Sequence, residues 1–253
     1  MLLTIHKNTK ALIIVVSALV ITTLIVAHFV YKSINDSVDP RVVAARALYE
    51  DYNGLAQRNS FDSVFLLLDK IEKEYDSYQH YRNSYEVGVL YNNRAASHLT
   101  LALYSDTSTF RPQTRDSLVN LSENAANRSI EIYEAWLLKY DNKTPEEISQ
   151  IASEDFFIGL EHYNDKQKGR FLKRRIKEIE SAQQETKRRL SVSYTNLGIV
   201  CRHHQQYELA AKYYKLAFDL WNENLVAENN LNILLNKPIR ERSFIQKLFP
   251  PKR

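Results

Sequence analysis

Glycine and proline are scarce, 5 and 6 among 253 residues, against a usual share of roughly 12 % for the two together. Folds built on Gly-rich turns and phosphate-cradling loops are poorly served by such a chain. The glycine- and histidine-spaced fingerprints of catalysis are missing too: no Gly precedes Lys-Ser or Lys-Thr, and there is no G-x-G-x-x-G, G-x-S-x-G or H-E-x-x-H. No Glu stands three residues before a His, which excludes the Glu-x-x-His pair of di-iron bundles. Cys201 is the single cysteine, so no intrachain disulfide forms and the redox compartment stays open. The nearest approach to a metal site is Cys201-x-x-His204 with His203 beside it, half of a four-ligand set at best. These absences predict a non-enzymatic protein with no catalytic residues, cofactor or metal. Neither sign of charge dominates, and 44 % hydrophobic with 25 % charged residues fits a folded chain rather than a disordered one.

What is present begins with a membrane segment. From Ala11 to Tyr31 no residue is charged, and Lys10 and Lys32 bracket the run. At about 1.5 Å per residue, such a helix matches the ~30 Å hydrocarbon core of a bilayer. It is too long for the apolar region of a cleaved signal, and no small-x-small site follows it. Residues 1–10 then form a short N-terminal tail, 11–31 a transmembrane helix in contact with the lipid bilayer, and 32–40 a polar linker ending at Pro40. Lys7 and Lys10 before the span nearly balance Lys32 and Arg41 after it. The closer first pair and the terminal amine favour a cytoplasmic N-terminus. The expected setting is a single-pass protein of a bacterial inner membrane, its large domain outside the cytoplasm.

Beyond Pro40 the periodicity is helical. Phe61, Val64, Phe65, Leu67, Leu68 and Ile71 recur at spacings of three and four, opposite a charged face. Leu118, Leu121, Ala125, Ile132, Trp136 and Leu137 repeat the pattern. Thr144-Pro145-Glu146-Glu147 reads as an N-cap, a first-turn proline and the Glu of a capping box. Ser105 to Thr109 reads as a polar loop. A long helix is expected from near Arg170 onward, its apolar seam broken by Gln183 and Thr186.

Residues 194–222 carry a recognisable spacing: Tyr194, Leu197, Gly198, Cys201, Ala210, Tyr214 and Ala217. This stretch resembles a tetratricopeptide repeat, with Tyr, Cys, Tyr and Asn222 where the motif has Trp, Tyr, Phe and Pro. The spacing implies two antiparallel helices brought close by small Gly198 and Ala210. Leu90 to His98 looks like the first helix of another unit. The resemblance implies an all-α fold: a single N-terminal transmembrane helix followed by a tetratricopeptide-like helical-repeat (α-solenoid) domain over 41–236. Its best repeat is 191–224, with partial repeats near 46–76 and 88–140 and a capping helix at 225–236. The alternative is an unrelated helical bundle. If the domain binds a peptide, the resemblance implies a concave face carrying Thr195, Ile199, Arg202, Asn229 and Ile233. The Lys and Asn set that grips a chaperone's C-terminal carboxylate is replaced here by Thr195 and Ile199, so that activity is not carried over.

Two basic stretches complete the reading. Lys166 to Arg189 holds ten basic residues against three acidic ones, including Arg170, Lys173, Arg174, Lys177 and Arg188. The tail 237–253 carries six against one. A solvated helix face and a disordered tail are the plain meanings. The leading expectation is thus a membrane-anchored scaffold or adaptor for a protein partner, of unspecified oligomeric state. The rival is an electrostatic binder of anionic lipid or nucleic acid, the latter disfavoured because no nucleic-acid module accompanies the charge.

Overall fold

The structure, a computed structural model, describes residues 7–104 and 112–242. Among these every regular element is a helix. The loop expected at 105–109 and the end of the basic tail lie outside the described residues.

Helix α1 spans Lys7–Asn35 and is exposed from Thr9 to Asn35; by length and composition it is apolar enough to cross a membrane. Thr22 and Thr23 turn their hydroxyls back onto the carbonyls of Ala18 and Leu19, at 2.9 and 2.8 Å, so neither presents an unsatisfied donor along its length. The helix overruns 11–31 at both ends because its polar flanks remain helical. That shortens the expected linker. Ser33, Ile34 and Asn35 belong to α1, and Asp39 is already buried beneath a 3-10 turn at Pro40–Val42. There Arg41 donates to Asp39 at 2.6 Å and to the Ile158 carbonyl at 2.6 Å, while the Tyr81 hydroxyl donates to Asp39 at 2.8 Å. The linker's end is thus fastened into the domain.

The domain continues as α2 (Val43–Gln57), α3 (Phe61–Asp76), α4 (Tyr85–Tyr104), α5 (Pro112–Tyr140), α6 (Pro145–Ala152), α7 (Asp165–His203), α8 (Tyr207–Leu220) and α9 (Leu225–Leu234). Each long helix packs on the next, α5 passing directly to α7, and α7 also touches α4 and α6. Thr144 caps α6 with the anticipated box, its oxygen accepting from the Glu147 amide at 3.3 Å and Glu147 returning the bond at 2.9 Å. Helix α7 starts earlier than Arg170 because Asn164 and Gln167 form a second such box. Four residues just past helix ends adopt positive φ: Asn59, Asn142, Gln205 and Asn236. Asparagine tolerates this left-handed turn better than most side chains, which is how a chain so poor in glycine ends its helices.

Close packing within the hairpins has an unexpected form. Gly198 on α7 leaves room for the fully buried ring of Tyr214 on α8. A Cβ at Gly198 would lie under 3.0 Å from that ring, and a Cβ at Gly88 on α4 would meet the buried ring of Tyr133 on α5 in the same way. The two hairpins share one device, a glycine notch filled by a tyrosine. Around the second notch Leu197, Cys201, Ala210 and Ala217 are buried, while Tyr194 lies half-buried, stacked on Tyr213 and bonded to Glu134. Gly88→Ala and Gly198→Ala are each expected to lower stability by about 1–3 kcal/mol, overpacking outweighing the ~1 kcal/mol helix-propensity gain. Urea unfolding of the detergent-solubilised chain measures this, and a neutral or stabilised variant would show that the rings can move aside.

Candidate functional site

The five residues expected on a concave face stand in different environments. Thr195 is buried: its hydroxyl donates to the Ser191 carbonyl at 2.9 Å and accepts from Asn224 at 2.9 Å. Asn224 is the N-cap of α9, so Thr195 helps seat that helix instead of facing solvent. Asn229 brackets the backbone of Arg240, accepting from its amide at 2.7 Å and donating to its carbonyl at 2.9 Å. Ile199 is half-buried, packed near Cys201 and Val200, and exposed Arg202 donates to Asn230 at 2.9 Å. Ile233, like Arg202, stands open to solvent. The N-cap of α9 covers Thr195, and the backbone at Arg240 engages Asn229.

The concavity lies one segment earlier, along the middle of α7. Three clefts adjoin through shared lining residues. The first, about 360 Å³, is walled by Arg46, Tyr49, Tyr75, Tyr85 and Glu178. The second, about 460 Å³, runs from Tyr85 past Arg174, Lys177 and Ser181 to Glu185. The third and largest, about 650 Å³, continues from Ser181 and Glu185 to Arg188, Leu220 and Trp221. Positions 174, 177, 178, 181, 185 and 188 recur at helical spacing and so mark one face of α7. From 174 to 188 that face is about 21 Å long at ~1.5 Å per residue, the length of about six extended residues. Tyr49 and Tyr85 stand at one end, Trp221 at the other. Sequence reading missed these aromatics because rings at helical spacing look like core. Their half-exposure emerges only once distant helices are assembled.

The basic stretch divides in the same process. Arg188 donates to Glu185 at 2.7 and 2.5 Å and lies over the Trp221 ring at 5.3 Å. Arg189 also meets Glu185, and Lys187 meets Asp141 at 2.7 Å. Much of the apparent excess is therefore paired. Arg170, Lys173, Arg174 and Lys177 remain together at the other end, against the last turn of α1.

Beneath the groove sits a buried ion network. Arg175 is almost wholly buried, its guanidinium donating to Glu86 at 2.5 and 3.3 Å and lying over the Tyr81 ring at 4.6 Å. Burial alone would raise the Glu86 carboxyl, but the charge and hydrogen bond of Arg175 outweigh it and hold the group below its usual range. Arg175 Nε also donates to His80 Nε2 at 3.2 Å, and His80 Nδ1 meets Asp155 at 2.6 Å. With a guanidinium N–H on Nε2, the ring is neutral and donates from Nδ1 to Asp155. Burial pushes His80 below its ordinary pKa; the Asp155 hydrogen bond resists and the Arg175 charge adds to the fall. Both ring nitrogens are engaged, so the histidine has no free lone pair for proton transfer. His98, stacked on Phe65 at 4.3 Å, is pushed down to about 4 by burial with help from Arg94. Cys201 is buried among Ala210 and Tyr214 and its thiol is pushed up by burial, while His203 pairs with Asp116 at 3.1 Å. Among the described residues no three His, Cys, Asp or Glu side chains gather as metal ligands.

No family model, curated protein or solved structure matches the chain.

Replacing Arg175 with Met strands Glu86 in the interior. The expected loss is about 3–5 kcal/mol, partly restored by adding Glu86→Gln. Unfolding midpoints of the single and double variants measure the pair, and equal losses in both would refute the coupling. Acidification supplies a second expectation. Both histidines have folded pKa values below the unfolded value near 6.5, so the unfolded state takes up protons first and stability falls as pH drops from ~6.5 toward about 4. His98→Phe is expected to flatten that slope in a thermal-melt series across the window.

Proposed function

We propose that the chain is a membrane-anchored, non-enzymatic adaptor whose tetratricopeptide-like domain holds an extended segment of a protein partner beside the bilayer. The observation that carries this reading is the row of three adjoining clefts along α7, about six extended residues long, flanked by tyrosines and a tryptophan. Rigid aromatic walls with scattered charges suit peptide capture, since a few aromatic anchors dominate most protein interfaces. Mixed signs along the groove, with Arg46, Lys177, Glu178, Glu185 and Arg188 in sequence, favour a partner segment of alternating charge over a uniformly acidic one. The shared glycine notch in two hairpins, and the packing of successive long helices from α2 through α5 and α7 to α9, support a repeat architecture. Helix α1 supplies the anchor, raising the effective concentration of the groove near membrane partners. The setting we favour is a bacterial inner membrane, with the domain outside the cytoplasm.

Photo-crosslinking side chains placed at Lys177 and Gln184 in native membranes test the groove. Both positions should trap the same protein, and a crosslinker at exposed Leu66 on α3 should not. Trp221→Ala should weaken capture by about 2 kcal/mol, roughly thirtyfold. Loss of the adduct between low and physiological salt would instead favour phosphate-driven binding. Trapping that is indifferent to position would defeat the reading.

A further inference from the structure

The end of α1 and the start of α7 enclose a further groove, which shares Arg174 and Lys177 with the first but is lined by cations and hydroxyls instead of aromatic rings. It measures about 520 Å³ and is lined by Ser33, Ile34 and Ser37 on one side and Arg170, Lys173, Arg174 and Lys177 on the other. Arg174 closes it, donating to the Ile34 carbonyl at 2.9 Å and to the Ser37 hydroxyl at 3.3 Å. Two carboxylates face the cations. Asp36 stands 4.0 Å from Arg170, the outer limit of an ion pair. Glu178 lies 3.1 Å from Arg174 but also meets Arg46 at 2.7 Å and Arg175 at 3.7 Å, so its charge is divided among three arginines. Lys173 and Lys177, one turn apart and exposed, have no carboxylate within ion-pair distance among the described residues. The groove is left with a surplus of positive charge.

Its depth decides what that surplus meets. The apolar run ends at Tyr31, Ser33 and Ile34 follow about 3 to 5 Å further along α1 at ~1.5 Å per residue, and Ser37 lies in the turn just past the helix end. The headgroup layer of a bilayer is about 5–8 Å thick on each side. Because the uncharged run equals the hydrocarbon thickness, α1 has little freedom to slide and carry the groove elsewhere. The Ser37 hydroxyl is committed to the Ile34 carbonyl at 2.7 Å, so a phosphate here would find the Ser33 hydroxyl, a planar guanidinium donor and two ammonium groups.

We propose that this groove is a headgroup site for an anionic phospholipid. Lipid rather than nucleic acid is the occupant, since the groove opens at the level of the bilayer surface, where a lipid phosphate is already present and a polymer backbone has to enter from water.

Native mass spectrometry of the full chain in a neutral detergent tests the site by titration with phosphatidylglycerol, phosphatidylcholine or inorganic phosphate. One phosphatidylglycerol should be retained at concentrations where phosphatidylcholine and free phosphate are not. Arg170→Gln with Lys173→Gln should weaken retention on the order of thirtyfold, taking about 1 kcal/mol per cation near an anionic headgroup. The charge-matched control Lys212→Gln with Lys237→Gln should stay within about twofold. If the first pair fails to fold by circular dichroism, Lys173→Gln alone should give about a fivefold loss. Equal retention of phosphatidylcholine, displacement by inorganic phosphate or a short DNA duplex at matching concentration, or an equal loss in the control pair would each overturn the assignment.

Discussion

Arg175 is a full positive charge withdrawn from water, and the arrangement of the domain follows from how that charge is answered. Glu86 reaches it from the first turn of α4, His80 from the segment before α4, and the rings of Tyr81 and Tyr85 cover its faces. Through His80 the network extends to Asp155 after α6, and through Glu178 to Arg46 on α2. One side chain of α7 thereby ties together elements from both halves of the chain. An interaction of this kind contributes less net stability than an apolar core of equal volume, yet it tolerates few alternative alignments, because any slip of α7 by a turn buries two unpaired charges.

That alignment sets what the surface of α7 can offer. With Arg175 facing inward, residues 174, 177, 178, 181, 185 and 188 fall along one outward side, and the groove follows. The final turns of the same helix form the notch that receives Tyr214. A 39-residue helix thus joins three regions with different tasks: a charged start beside α1, a groove in the middle and a packed hairpin at the end.

Local signals in the sequence read well and long-range ones do not. The Thr144 capping box, the helical periodicity from Phe61 to Ile71 and the apolar run of α1 all rest on residues within one or two turns of each other, so neighbours in sequence determine them. Thr195 illustrates the opposite case. Its position within the motif pointed outward, but its environment is fixed by Asn224 and by a helix that starts thirty residues on. Arg175 was one of ten cations in a basic run, and nothing nearby marks it as the buried one; Glu86, its partner, lies 89 residues away. The notch at Gly88 was likewise hidden, since Tyr133 is separated from it by an entire hairpin.

The seating of Asp39 and Arg41 has a mechanical consequence. Only Asp36, Ser37 and Val38 separate α1 from the first buried residue of the domain, a leash of about 10 Å at full stretch. A domain held so short cannot sample the volume that a long flexible stalk would allow, and its orbit is a thin shell hugging the surface. Partners that diffuse in the same sheet of lipid, or that present their binding segment within a few residues of it, are met often. Those whose recognition element projects far from the surface are met only if they bend toward it.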